Sequence, residues 1–186
     1  HIVLVYLLAA RLGGKTAARI AALLAALGPS ALILWSIMAR GGFMEIVVIG
    51  SLSLLISVDL LSKRREANIL NFSLLGLLFG LGWWVNNQIV FYIAAVFCVF
   101  AAVFPLRLGL RRCFCLGFAA TCAFFAGGFP FWYANIFLTP RLATFRELLG
   151  QKAVTGFADH FSGFFTEALP IIYGARQFWS EKDIFP

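Results

Sequence analysis

Two apolar runs are separated by "MARGGFME" (residues 38–45), which places Arg40 and Glu45 on either side of two glycines with little other charge nearby. An arginine there suits a phosphate, because its planar guanidinium fork makes bidentate contacts. Glu45, at the start of the next apolar run, suits a sugar hydroxyl or a metal ion. An interfacial ion pair, or a snorkelling arginine at a chain reversal, explains the same residues. A second polar cluster, Asn86-Asn87-Gln88, follows Trp83 and Trp84 in "GLGWWVNNQIVFY". Three amides can hydrogen-bond a hydroxyl-rich substrate, or they can cap a turn beneath an interfacial aromatic belt. Asp159-His160, in "GFADHFSGFF", sets an acid beside a proton carrier. Adjacent residues rarely face one another, so an acceptor-binding or lid loop fits better than a catalytic dyad.

The elements that must position these residues follow from composition. Of 186 residues, 62% are hydrophobic and 12% charged, with a mean hydropathy of +0.92. Soluble domains carry about 25% charged residues, so the composition predicts an all-α, polytopic bundle of transmembrane helices. Apolar stretches long enough to cross the ~30 Å hydrocarbon layer are expected at 17–39, 44–61, 69–85, 89–105 and 113–134, after a shorter one at 1–10. The start within an apolar run and the end at "EKDIFP" fit an internal piece of a longer membrane protein. Gly28-Pro29, Gly127-Gly128 and Pro130 are expected to kink the spans. The sequence divides into a membrane region, 1–135, and an external region of loops and surface helices, 136–186. Within the latter, "PRLATFRELLG" reads as a short amphipathic helix.

Charge alternates between connections. Arg11, Lys15 and Arg19 lie in the first, Lys63, Arg64 and Arg65 in the third, and Arg107, Arg111 and Arg112 in the fifth. The second has only Arg40 and the fourth no charge, so the basic connections are expected in the cytoplasm. Asp59 is expected to pair locally with Lys63 or Arg64. The +7 net charge then reflects topology. The basic clusters are too short and divided for nucleic-acid binding. Cys98, Cys113, Cys115 and Cys122 read as buried free thiols, with no second pair or histidine to complete a metal site.

In their order, "RLGGKTAARIAALLAALGPSALILWSIMARGGFMEIVVIGSLSLLI", "LLGLLFGLGWWVNNQIVFYIAAV", "GFPFWYANIF…ATFRELLG" and "ALPIIYGAR" resemble the middle of bacterial GT-C glycosyltransferases. These are polytopic enzymes similar to dolichyl-phosphate-mannose–protein mannosyltransferases and lipid A aminoarabinose transferases. The resemblance implies a multi-pass protein of the bacterial inner membrane. It also implies inverting transfer, on the outer face, from a polyprenyl-phosphate sugar donor to a lipid, glycan or protein acceptor, and often a divalent cation (Mg or Mn). The catalytic aspartate of such families sits in an external loop preceding residue 1, so no base is assignable here and the piece alone is expected to be inactive. "RGGFME" resembles their arginine–glutamate loop. Tyr133 and Asn135 match the Tyr-Asn end of a span with Ala134 inserted, and "WWVNNQ" departs from the usual Trp-Thr-His/Asn-Pro form. Two other classes compete. A secondary transporter or flippase calls for ionisable residues near the bilayer centre, which these spans lack. A non-catalytic membrane scaffold leaves the polar outer rim unused.

Overall fold

The computed structural model describes residues 1–28, 42–138 and 161–172, and among these the chain is helical with no strand. Helix α1 spans Ile2–Ala26, α2 Phe43–Leu61, α3 Ile69–Val85, α4 Val90–Leu108, α5 Leu110–Gly127 and α6 Phe129–Tyr133. A 3₁₀ turn, Asn87–Ile89, links α3 to α4, and π-helical turns follow at Ala134–Leu138 and Phe164–Ala168, the latter running into α7, Leu169–Ile172.

Three segments are long and apolar enough to cross a membrane: Phe43–Leu61, Asn87–Leu108 and Leu110–Gly127, with mean hydropathies of 2.1, 2.6 and 1.3. Helix α3 is equally apolar but has 17 residues. The five full spans expected from sequence are thus represented by three, plus this shorter helix. The expected span 113–134 is interrupted at Gly128, after which Pro130 opens α6. The second half of the span expected at 17–39 lies outside the described residues, as do "PRLATFRELLG", Arg40, Asp159 and His160.

The first connection is a correction. Residues 11–16 are helical, and α1 is two arms meeting at Gly14, whose φ of +78° and ψ of −174° leave the helical region. Flanking helix formers carry the helix to both sides of this one residue, which lacks the Cβ that would oppose such a φ. The connection at 106–112 shrinks in the same way. Gly109, at φ +78°, is by itself the turn between α4 and α5.

The core lies between α2, α3, α4 and α5 and includes Ile56, Leu60, Phe72, Leu75, Phe79, Val96, Phe104 and Leu116. Its tightest seam joins α3 to α5. A Cβ on Gly76 would overlap the Ala120 carbonyl oxygen, one on Gly80 that of Phe124, and one on Gly127 that of Leu77. This is the small-xxx-small packing by which membrane helices bring backbones together. Outward faces are apolar: Leu106, Phe91, Phe114 and Phe118 are each more than 70% exposed. In water such a surface would be a large uncompensated patch; against hydrocarbon it is the expected face. The cysteines are free, but Cys98, Cys115 and Cys122 are exposed rather than buried. A helix facing lipid has no reason to turn a small apolar group inward.

Asp59 also departs from expectation. It is buried, at 7% exposure, and accepts from Arg11 Nε at 2.7 Å, 48 residues away, rather than pairing with Lys63 or Arg64. Helix α1 thereby meets the C-terminal end of α2. Arg107 Nη1 donates to the Leu61 carbonyl at 2.7 Å and Arg112 Nη2 to the Ala67 carbonyl at 3.2 Å. The three basic connections therefore gather at one end of the bundle. Asp59→Ala is expected to cost about 2 kcal/mol, between the values for exposed and buried pairs. Thermal melts of Arg11→Ala, Asp59→Ala and the double variant in micelles check it. A coupling near zero would mean that the pair holds nothing together.

Candidate functional site

The opposite end of the bundle holds those polar residues singled out in the sequence that lie among the described residues. Helix α2 begins at Gly42, which packs so closely on Val85 that a Cβ would overlap the valine side chain. Glu45 stands exposed in the first turn of α2, where a carboxylate is favoured by the helix dipole. Val85 ends α3 and leads into Asn86, so the Glu45-bearing turn and the Asn86–Gln88 turn are neighbours. Asn86 is half-buried, in an extended backbone conformation, and its Oδ1 accepts from the Gln88 backbone N–H at 2.9 Å. That bond shapes the 3₁₀ turn. Asn87 is half-buried and Gln88 exposed at the rim. Ile89, fully buried against Gly82, anchors the turn from below.

The two tryptophans divide their roles. Trp84 is 51% exposed and stands where an interfacial belt residue belongs. Trp83 turns inward, stacked on Trp132 with ring centroids 6.3 Å apart and edge-on to Phe124 and Phe131. This aromatic cluster ties α6 and the segment after it to the same end as Glu45 and Asn86. Asn135 follows at 4% exposure. Its Nδ2 donates to the Phe131 carbonyl at 2.9 Å, while its Oδ1 and Trp83 Nε1 are buried with no hydrogen-bond partner among the described residues. Such atoms cost roughly 1–3 kcal/mol if left unpaired. Tyr133, by contrast, is 44% exposed, with its ring near Phe129 and Phe137.

Of the residues expected at a site, Glu45, Asn86, Asn87, Gln88, Tyr133 and Asn135 lie at this end. Arg40, Asp159 and His160 lie outside the described residues. A cavity of about 560 Å³ lies between α3, α4 and α5; its lining is apolar and reaches Trp83, Val90 and Phe124 at this end. Among the described residues no three or more His, Cys, Asp or Glu side chains come together as a metal site would need. Sequence reading missed Trp83 as a packing centre and the Gly76-xxx-Gly80 seam. The second was signalled by its spacing; the first had no signal distinguishing it from Trp84. No protein-family model, curated protein or solved structure matches this chain. The class supported by the fold is therefore a helical bundle with three segments able to cross a membrane, basic at one end and amide- and tryptophan-rich at the other.

Proposed function

We propose that this chain is part of a membrane glycosyltransferase that takes a sugar from a polyprenyl-phosphate donor at the polar end of the bundle. That end faces outward from the bacterial inner membrane. The observation that carries the reading is the meeting of the Glu45 turn with the Asn86–Gln88 turn, at the end away from the basic connections. A donor of this kind keeps its phosphate at headgroup level and its tail in hydrocarbon, so it calls for a polar rim above apolar, aromatic helices. In the reaction an acceptor hydroxyl attacks the anomeric carbon, the bond from that carbon to the phosphate oxygen breaks, and the polyprenyl phosphate leaves. Arg40 stabilises the charge developing on the phosphate, and Glu45 and the amides orient sugar hydroxyls. The base that accepts the acceptor's proton is taken to lie in a preceding external loop, by the resemblance to GT-C enzymes.

Arg40→Lys loses the bidentate fork and Glu45→Gln the carboxylate. In the full-length protein each is expected to lower transfer from the polyprenyl-phosphate sugar at least about tenfold, a barrier rise of about 1.4 kcal/mol. Arg64→Lys, in the basic third connection, is expected to transfer at the parental rate. Radiolabelled donor and isolated membranes give the readout. Parental rates in both Arg40→Lys and Glu45→Gln would leave "MARGGFME" as a chain reversal and nothing more.

A further inference from the structure

The apolar cavity contains none of the residues given a role in transfer above, though its far end reaches Trp83 and Val90 beside the Asn86–Gln88 turn. Helices α3 and α5 are locked together by their glycines, and a cavity is left between them and α4. The space between has Phe72 and Phe79 of α3 as its floor, and Val96 and Phe100 of α4 and Leu116 and Gly117 of α5 as its walls. Its volume is about 560 Å³. It opens sideways, since Phe97 and Gly117 line it and are nevertheless exposed. From Val90 to Pro105 the lining runs 15 residues along α4. At 1.5 Å per residue that is about 22 Å, most of one hydrocarbon layer. A slot of this length is suited to an extended acyl chain.

The mouth of the slot at Phe104, Pro105 and Cys113 lies at the basic end. Arg107 continues the groove-lining row of α4 (Phe97, Phe100, Phe104), and Arg112 stands one turn before Leu116 on α5. Each is exposed and pinned by one guanidinium nitrogen to a carbonyl of the connection between α2 and α3, Leu61 for Arg107 and Ala67 for Arg112. The ion pair found among the described residues is Arg11–Asp59, so within them neither of these guanidiniums lies within 4 Å of a carboxylate, and the acid that adjoins Ala67 in the sequence is Glu66. Two cations that make no ion pair among the described residues are thus held in place where the headgroup of a chain lying in the slot would sit. We propose that the slot between α4 and α5 holds an acyl chain of an anionic phospholipid, with its phosphate between Arg107 and Arg112. Charge complementarity selects an anionic over a zwitterionic lipid. The headgroup position lies at the end of the bundle opposite Glu45 and Asn86.

The test uses the purified full chain in neutral maltoside micelles and measures binding of dioleoyl phosphatidylglycerol and dioleoyl phosphatidylcholine by native mass spectrometry. Phosphatidylglycerol is expected to bind at least about tenfold tighter. A basic residue near an anionic headgroup contributes about fivefold, so R107Q/R112Q is expected to weaken phosphatidylglycerol about thirtyfold and leave phosphatidylcholine unchanged. Glutamine retains an N–H donor for the Leu61 and Ala67 carbonyls, and R107K/R112K is expected to stay within about threefold of the parent. Gly117→Phe fills the slot from a position where a Cβ meets nothing within 4 Å, so the helices need not shift. It is expected to weaken both lipids. Equal affinity for the two lipids overturns the proposal. So does an equal loss in K15Q/R19Q, which would make the effect one of general surface charge. Unchanged lipid binding in Gly117→Phe, with a dimer in the parent that this variant abolishes, gives the slot to a second copy instead.

Discussion

Gly80→Val is expected to be the most damaging single substitution in the bundle. A side chain at position 80 meets the Phe124 carbonyl oxygen and the Gly128 backbone, not the yielding end of a side chain. Overpacking against groups that can move costs about 1–3 kcal/mol, and here α3 and α5 must separate along the whole seam, so a loss of about 3 kcal/mol or more is expected. Thermal unfolding in micelles, followed by far-ultraviolet circular dichroism, gives the comparison. Gly117→Ala is the control. A Cβ at position 117 has open space around it, and alanine is the better helix former by up to about 1 kcal/mol, so this variant is expected to match or exceed the parent. If Gly80→Val melts with the parent, the α3–α5 seam is not the closest packing in the fold.

Trp83→Ala is expected to come next, at about 3 kcal/mol, the lower end of the range for removing a large aromatic side chain. Trp83 is half-buried, and its ring contacts Phe124, Phe131 and Trp132, which together fasten α6 to the end of α3. The consequence for function is local. Without the indole, the segment carrying Tyr133 and Asn135 is no longer held beside the Asn86–Gln88 turn. Near-ultraviolet circular dichroism should lose the signal of the stacked tryptophan pair, and Trp83→Phe should retain most of the stability but not that signal. Trp84→Ala, at an exposed site, should leave both intact. Equal effects of Trp83→Ala and Trp84→Ala would place both residues in the belt and remove the aromatic anchor.

The helices were more legible in the sequence than their partnerships. The apolar runs 44–61, 69–85 and 89–105 correspond to α2, α3 and α4 within about three residues, because hydrophobic length is a local property. Connections were harder. Lys15 and Arg19 suggested a loop at 11–16, yet the surrounding residues favour helix and the chain needs only Gly14 to change direction. Arg11–Asp59 joins positions 48 apart, so charge counting along the chain assigned Asp59 to its sequence neighbours. The gathering of basic connections at one end, by contrast, followed directly from their alternation. At the polar end the residue types were legible, but not the division of labour between Trp83 and Trp84, nor that Asn86 shapes its own turn while Asn135 is buried. Those depend on which helix face meets a neighbour, and in spans that are apolar all round the sequence gives little sign of it.

On the proposed function, the polar end faces outward and receives a lipid-linked phosphate. One thiol-labelling measurement addresses both halves. With Cys98, Cys113, Cys115 and Cys122 replaced by serine, cysteine is introduced at exposed Gln88, at the polar rim, and separately at exposed Lys63, in a basic connection. In intact cells a membrane-impermeant maleimide is expected to label Gln88→Cys and not Lys63→Cys. In proteoliposomes, undecaprenyl phosphate is expected to slow labelling of Gln88→Cys at least about fivefold, about 1 kcal/mol of occupancy, while the same amount of phosphatidylglycerol does not. Labelling of Lys63→Cys but not Gln88→Cys in cells would reverse the orientation, and a rate at Gln88→Cys indifferent to undecaprenyl phosphate would remove the donor from the polar end.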